Sequence, residues 1–254
     1  MNRFVKKILV LLSVILLCVF CKKNEGNTNY IAHACSAIDG IMYTNSMEAL
    51  NQAIDFGIKY IEIDLQMTSD SVLVGVHDWE QFHTYIDDKK HGVMTFEDFE
   101  KSRIYGKYTP ISYKDILDIW SKHSDLFLVT DKISSPKILN KFLGQLKDRT
   151  MVECFSMNDY NDLKKSGWTV FYSGKITKEL VKRNVKHLRL RQLPPIFADN
   201  YVVCGCELDY KTLIGKSFAV FDICEGIVTK AMADSIFKID NRIKFVYVDE
   251  FNDK

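Results

Sequence analysis

The sequence predicts a (β/α)₈ TIM barrel of the α/β class, and three observations lead to this prediction. Short runs rich in Ile, Val and aromatic residues alternate with longer segments of helical period, which is typical of parallel strands joined by helices. Eight such short runs occur, the number that closes a parallel sheet into a barrel. The chain has 254 residues, and such a barrel commonly takes about 250. We therefore expect one barrel domain at residues 29–254, after a leader and tether at residues 1–28.

The predicted strands are the apolar runs of high β propensity. The second strand is expected to continue through a turn at Asp70 and Ser71 into a hairpin arm at residues 71–78. Residues 79–110 have few strong apolar periods, and we predict an inserted loop region or small subdomain there, over one end of the barrel. The eight strands are predicted at residues 30–35, 60–68, 126–131, 151–156, 169–173, 187–191, 217–223 and 244–251.

Helices are predicted between the strands, where apolar residues recur with the helical period. The first helix begins where Asn45 and Glu48 are spaced as a capping box, and Gly57 marks its C-terminal end. Residues 197–215 show no clear period of either kind. The helices are predicted at residues 46–56, 111–123, 136–148, 158–167, 177–184 and 229–239.

The N-terminus has the layout of a signal peptide. Arg3, Lys6 and Lys7 precede an apolar run at residues 8–20, which is shorter than the roughly 20 residues of a membrane-spanning helix. Cys21, next in the chain, resembles the lipidated cysteine of bacterial lipoproteins; ordinary cleavage and an uncleaved anchor are the alternatives. In each case we expect an exported protein of the cell envelope, with a membrane-anchored lipoprotein facing the periplasm or cell surface as the first choice.

The charge balance argues against nucleic acid as a partner. The chain carries 34 Lys and Arg residues against 33 Asp and Glu residues, so no basic excess is available to neutralise the phosphates of a polynucleotide. A small molecule is the expected partner, and no protein partner can be inferred.

Five cysteines follow the leader, an odd number for an exported protein, so at least one thiol is free or pairs elsewhere. Their scattered spacing does not indicate a disulfide framework. Cys204 and Cys206 lack the second Cys pair or nearby His that would complete a zinc site. We expect most of the five to be small buried apolar side chains: Cys35, Cys154, Cys204, Cys206 and Cys224.

Polar side chains collect at the ends of the first three predicted barrel strands, where the active site of a (β/α)₈ barrel forms. Glu62 and Asp64 lie on one face of the second strand, because side chains alternate along a strand. Two buried carboxylates this close repel each other, so a metal should lie between them or one should hold a proton. An exposed strand of no special meaning is the third reading. The whole set is His33, Glu62, Asp64, His77, Asp131 and Lys132.

Three carboxylates suit a hard divalent cation, Mg²⁺ or Ca²⁺, better than zinc, which favours His or Cys ligands. Such a cation would polarise a phosphoryl oxygen, while two histidines act as general base and general acid. The unperturbed pKa of histidine, about 6.5, suits both roles. Lys132 would neutralise charge on a phosphate. Asn45 and Trp79 are weaker candidates for contacts with the substrate.

The motifs around these residues resemble those of the glycerophosphodiester phosphodiesterases, within the phosphatidylinositol-specific phospholipase C-like superfamily. The resemblance extends to FVYVDEF near the C-terminus, covers residues 30 to 252, and is greatest to a divergent bacterial branch. It implies that His33 and His77 are catalytic and that Glu62, Asp64 and Asp131 bind the metal. The matching segments are AHAC, YTNSMEAL, IEIDLQMTSDS, VHDW and VTDK.

We therefore expect a metal-dependent hydrolase that cleaves glycerophosphodiesters, derived from lipid or wall polymers, to a phosphomonoester and an alcohol. Phospholipase C-like cleavage through a cyclic phosphate is a second enzymatic reading. The alternative from another class is a non-catalytic surface barrel that binds phosphorylated glycans. That alternative is suggested by Ala34, Cys35 and Thr44, which stand where the family usually has Arg, Gly and Glu.

Overall fold

The structure, a computed structural model, describes residues 29–89, 91–174, 185–190, 216–220 and 227–251. The predicted leader, the predicted helix at 177–184 and the segment at 197–215 lie outside the described residues, as do three of the five cysteines. Those expectations therefore stay predictions. Within the described ranges, no helix is both long and apolar enough to span a bilayer.

Strands and helices alternate along the described part of the chain as predicted. The strands there are β1 Asn29–Ala32, β2 Tyr60–Met67, β3 Leu73–Gly75, β4 Phe127–Asp131, β5 Thr150–Cys154, β6 Thr169–Tyr172, β7 His187–Leu190, β8 Ser217–Val220 and β9 Ile243–Val248. The α-helices there are α1 Met47–Asp55, α2 Trp79–Tyr85, α3 Phe96–Lys101, α4 Tyr113–Lys122, α5 Pro136–Leu143, α6 Met157–Lys165 and α7 Lys230–Phe237.

The parallel sheet closes on itself, which confirms the predicted barrel. β1 pairs with β2 and β2 with β4, and parallel pairing continues strand by strand from β4 to β9. β9 in turn pairs with β1, so that eight parallel strands form a ring. The helices that follow the strands cover its outside, and the carboxyl ends of all eight strands meet at one rim.

The region after β2 departs from the barrel pattern in the predicted way. β3 pairs with β2 in antiparallel fashion, as the predicted hairpin arm requires. Residues 79–110 then form α2 and α3, and Trp79, Phe82 and Phe99 of these helices are buried together. The insertion is therefore a small packed subdomain with its own apolar contacts.

Alternation of side chains divides the barrel interior into an apolar and a polar part. Ile31, Val129, Met151, Phe171 and Tyr247 form a buried cluster of their own inside the barrel. These residues lie on inward-facing positions, because neighbours in sequence point to the outer, helix-covered core. The inward positions that follow along the strands are polar, and they form the candidate site.

Two details of the predicted helices are wrong. Ser46, and not Asn45, caps α1, since its side chain accepts a hydrogen bond from the Ala49 N–H at 3.3 Å. Glu48 accepts hydrogen bonds from Thr109 instead of closing a capping box. The helix predicted at 136–148 ends earlier, where α5 gives way to a 3₁₀ helix at Gly144–Arg149.

The two cysteines in the described ranges, Cys35 and Cys154, are buried free thiols. Burial raises the pKa of both, that of Cys154 to about 12. Both thiols are therefore protonated and unreactive at neutral pH, in agreement with the expectation of small buried side chains.

Candidate active site

Three carboxylates meet inside the barrel rim, and we call Glu62, Asp64 and Asp131 the carboxylate triad. Asp64 on β2 lies opposite Asp131 on β4 in the sheet register, and Glu62 precedes Asp64 on the same face. One oxygen of each residue lies within 4.8 Å of one oxygen of each of the other two. Strand register and alternation thus bring together the residues that the sequence predicts as metal ligands.

Neighbouring groups orient two members of the triad. Glu62 Oε2 accepts a hydrogen bond from the Ala34 N–H at 2.7 Å. Asn45 holds Asp64 at two points: its Nδ2 donates to Asp64 Oδ2 at 3.0 Å, and its Oδ1 accepts from the Asp64 N–H at 3.0 Å. Lys132 Nζ lies 3.6 Å from Asp64 Oδ1, so Lys132 and Asn45 both adjoin the triad.

The electrostatics of the triad fit a bound cation. Burial, and then the nearby Asp64 carboxylate, raise the pKa of both Glu62 and Asp131 well above the usual range. Asp131 Oδ1 is buried without a hydrogen-bond partner among the described residues. A hard divalent cation binds carboxylate oxygens, and its charge offsets both their mutual repulsion and the cost of a buried oxygen without a hydrogen bond. The residues present therefore fit the divalent cation that the resemblance implies.

His33 follows β1 and is held by an acid from the opposite end of the chain. Its Nδ1 lies 2.8 Å from Asp249 Oδ1, and both side chains are buried. Asp249 is itself fixed, because its Oδ2 accepts a hydrogen bond from the Val228 N–H at 2.8 Å. In a neutral ring, a carboxylate at Nδ1 favours the tautomer with the proton on that atom and the lone pair on Nε2.

His77 follows β3 and has a neutral partner. Its Nδ1 lies 3.1 Å from Oε1 of Gln81, in the first turn of α2. Burial lowers the pKa of His77, and the charges of Lys132 and His33 lower it further, while Asp64 and Gln81 oppose the shift. The ring of Tyr43 contacts both histidines, with centroids 4.9 Å from that of His33 and 4.6 Å from that of His77, so His77 faces the same rim as His33.

A second buried acid, which the sequence analysis missed, lies beside the triad. Tyr247 O–H donates to Glu153 Oε1, while the Arg189 guanidinium and the Ser173 O–H donate to Oε2, the latter at 3.0 Å. We call these four residues the Glu153 network. The Glu153 carboxylate raises the pKa of Arg189 despite the opposing effect of burial. The one available signal was that Glu153 is the only charged residue of the run MVECFS.

Trp79 is placed differently from the other predicted site residues. It begins α2 and is only 7% exposed, with its ring against Phe82 and Phe99. These contacts place Trp79 in the core of the insertion and do not connect it with the triad. Its predicted contact with the substrate stays a prediction.

Sequence comparison decides the family. A model of the glycerophosphoryl diester phosphodiesterase family matches residues 29–193, more than half of the chain. The chain belongs to this family. It is accordingly a hydrolase of phosphoric diesters, which confirms the predicted enzyme class and favours it over the binding-only alternative. Among curated proteins, none matches the sequence of this phosphodiesterase significantly.

Solved structures of other phosphodiesterases share its fold. One is a glycerophosphodiester phosphodiesterase from Parabacteroides distasonis, with 19% identity, a TM-score of 0.59, and coverage of 89% of this chain and 94% of that one. Another is an Oleispira antarctica phosphodiesterase in complex with the product sn-glycerol-3-phosphate, with 15% identity, a TM-score of 0.62, and coverage of 87% and 92%. At these identities the similarity establishes the barrel fold and nothing finer.

Proposed function

We propose that this enzyme hydrolyses glycerophosphodiesters to a phosphomonoester and an alcohol, with one divalent cation, Mg²⁺ or Ca²⁺, held by Glu62, Asp64 and Asp131. The observation that carries the proposal is the meeting of three buried carboxylates with two histidines at one rim. When bound, the cation would supply a Lewis acid for a phosphoryl oxygen and offset charge in the transition state. Asn45 and Lys132 orient Asp64 for this purpose.

His33 is proposed as the general base. Its Nδ1–H donates to Asp249, so Nε2 carries the lone pair that takes the proton of the attacking water. The Asp249 carboxylate then stabilises the imidazolium that forms, as an acid behind a catalytic histidine does in other hydrolases. The water oxygen forms the new bond to phosphorus while its proton moves to His33.

His77 is proposed as the general acid. In the protonated ring Nδ1–H donates to Gln81, and Nε2–H gives its proton to the alcohol oxygen as the bond from phosphorus to that oxygen breaks, so the alcohol leaves neutral. The amide of Gln81 fixes the ring without adding a negative charge that would hold the proton back. Lys132, whose side chain is 28% exposed, is proposed to attract the substrate phosphate.

Glycerol-linked phosphodiesters from lipid or wall-polymer breakdown are the proposed substrates. The product complex of the Oleispira antarctica phosphodiesterase supports a glycerol phosphate product. The phosphodiester panel described next identifies the head group. Asn45 and Trp79 are proposed to contact the substrate, and the amide of Asn45 also binds Asp64.

A phosphodiester panel assayed with Mg²⁺, with Ca²⁺ and with chelator tests the proposal. We expect cation-dependent hydrolysis that falls about 10²–10⁴-fold in His33→Ala and in His77→Ala, the usual contribution of a general base or acid. His91→Ala is the matched control, because His91 is an exposed histidine paired with Glu80. Hydrolysis that survives both active-site variants would refute the roles proposed for His33 and His77.

The course of the reaction is read in the same assay by phosphorus NMR. Direct attack by water predicts a phosphomonoester with no cyclic phosphate at any time. Transient accumulation of a cyclic phosphate would instead establish internal attack by a neighbouring hydroxyl, the phospholipase C-like alternative. Absence of turnover for the whole panel would count against glycerophosphodiesters as substrates.

We also propose that the enzyme is exported and anchored to the membrane through Cys21. The support is the basic, apolar and cysteine pattern of the leader. Cells expressing the full chain should incorporate labelled fatty acid into the membrane fraction, and Cys21→Ala should abolish the label and release the protein. Unlabelled wild type in the cytosolic fraction would contradict this proposal.

A further inference from the structure

Tyr43 contacts both of the proposed catalytic histidines. It lies in the loop before α1, half-buried, and its ring centroid is 4.9 Å from that of His33 at an interplanar angle of 84°. Its centroid is also 4.6 Å from that of His77, at 39°. Both distances lie within the range of favourable aromatic pairs. One ring therefore bridges the two imidazoles.

The backbone of Tyr43 is held in an unfavourable conformation. Its φ is 58°, in the left-handed region where a side chain beyond glycine is disfavoured. Asn45, two residues on, has a φ of 44°, and its amide is used to hold Asp64. Bulky residues kept in this region by the surrounding structure cluster at functional sites. The conformation of this loop thus directs one side chain to the triad and the other to the histidines.

Neither histidine is fixed by its hydrogen bond alone. A bond at Nδ1, to Asp249 or to Gln81, defines the tautomer but leaves the ring able to tilt about that contact. His33 also meets the edge of Tyr247 at 5.8 Å between centroids. The ring of Tyr43 adds a contact on both imidazoles, which limits tilting of each and prevents the two from approaching each other.

We propose that Tyr43 is a positioning residue, whose aromatic ring spaces His33 and His77 and keeps their Nε2 atoms aimed at the reacting phosphodiester. The inference rests on the proposed general base and general acid. Because the ring acts by packing, the hydroxyl of Tyr43 has no part in this role. Tyr43 does not belong to the carboxylate triad, so binding of a cation should not depend on it.

Three substitutions test this role by separating kcat from KM. Tyr43→Phe keeps the ring and should retain kcat within about threefold. Tyr43→Gly removes the ring and relieves the left-handed backbone, so the fold is kept, but kcat should fall about 10²-fold with KM changed less than about threefold, the usual effect of misplaced catalytic groups. Tyr113→Ala is the matched control, because Tyr113 packs on Phe142 away from the site, and it should leave kcat unchanged.

A measurement independent of turnover follows the imidazoles directly. In ¹⁵N-histidine NMR spectra recorded above the pKa of His77, where its ring is neutral, wild type should show a single Nδ1–H tautomer at His77, and Tyr43→Gly should show averaging of both tautomers. Mg²⁺ affinity by calorimetry should be the same in both proteins. Unaltered kcat and tautomer in Tyr43→Gly would overturn the inference, as would a loss in Tyr43→Phe equal to that in Tyr43→Gly. If wild type hydrolysed nothing, the proposed function would fail, and the NMR result would still decide whether Tyr43 orients the imidazoles.

Discussion

Two acidic groupings face the same barrel interior and differ in how their oxygens are satisfied. In the Glu153 network both carboxylate oxygens of Glu153 accept hydrogen bonds from Tyr247, Arg189 and Ser173. In the carboxylate triad, Asp131 Oδ1 is buried with no partner in the described part of the chain. Within the described residues, both carboxylate oxygens of Glu153 are therefore satisfied, and Oδ1 of Asp131 is not.

This difference distinguishes a buried acid that stabilises the fold from acids that are proposed to bind a metal. A buried carboxylate is costly unless hydrogen bonds or an opposite charge compensate it. Arg189, whose side chain is 8% exposed, supplies that charge for Glu153. In the triad, the Lys132 ammonium lies 3.6 Å from Asp64, and the charge of Arg189 also acts on Asp131. A divalent cation would supply the missing positive charge, which is why one grouping is proposed to bind metal and the other to support it.

A change of Glu to Gln should lower activity in the carboxylate triad and stability in the Glu153 network. The largest effect is expected on activity. Glu62→Gln keeps the shape of the side chain and its hydrogen bond from Ala34 but weakens a proposed metal ligand. We expect hydrolysis to fall about 10³-fold, since metal-ion catalysis supplies several kcal/mol. Steady-state assays over a range of Mg²⁺ concentrations check this. Stability without cation should not decrease, because the change removes charge repulsion.

Glu153→Gln should instead destabilise the fold. The neutral amide leaves the buried Arg189 guanidinium without its ion-pair partner, which costs about 3 kcal/mol. Urea unfolding of wild type and variant measures this difference, with Glu62→Gln as the matched control. Mg²⁺ affinity should be largely kept, because Glu153 is not a triad member. A stable Glu153→Gln protein that no longer bound Mg²⁺ would reverse the assignment of the two groupings.

Prediction from sequence succeeded where the determinants are local. All eight barrel strands, the hairpin arm and the convergence of the triad follow from apolar runs, a turn at Asp70 and alternation along β2. The predicted capping box is wrong because the Asn45 side chain binds Asp64, nineteen residues away in sequence, instead of capping α1. The left-handed backbone of Asn45 directs its amide there. Local spacing does not reveal that competition.

Contacts that depend on closure of the barrel were not predictable. Glu153 meets Arg189 and Tyr247 at sequence separations of 36 and 94 residues, and His33 meets Asp249 at a separation of 216. Each partner comes from a different strand or rim segment, so no pattern within one segment specifies the pair. The role of the Tyr43 ring was not predicted for the same reason, because the ring contacts His33, which follows β1, and His77, which follows β3.

Substitution of Asp131 tests whether the charge of the triad destabilises the fold when no cation is bound. Asp131→Asn removes a charge that has no compensating partner on Oδ1 among the described residues, so the free energy of unfolding without cation should rise by about 1 kcal/mol. Thermal unfolding with chelator checks the rise. The stabilisation that Mg²⁺ gives wild type should shrink in the variant, because ligand-linked stability follows affinity. A variant less stable than wild type in chelator would show that the triad is compensated internally.

The hydroxyl of Tyr247 should contribute less to stability than the charged groups of the Glu153 network. Tyr247→Phe keeps the ring that lies beneath Arg189, 4.6 Å from its guanidinium carbon, and deletes only the donor to Glu153 Oε1. We expect a loss of about 1 kcal/mol, the net value of one buried hydrogen bond. Because Arg189 and Ser173 still satisfy Oε2, the loss should be smaller than in Glu153→Gln.

The double variant Tyr247→Phe/Glu153→Gln should be less destabilised than the sum of the two single changes, since both single changes remove the same hydrogen bond. Additive losses would mean that the four residues do not act as one network, and the contrast with the triad would then rest on Arg189 alone.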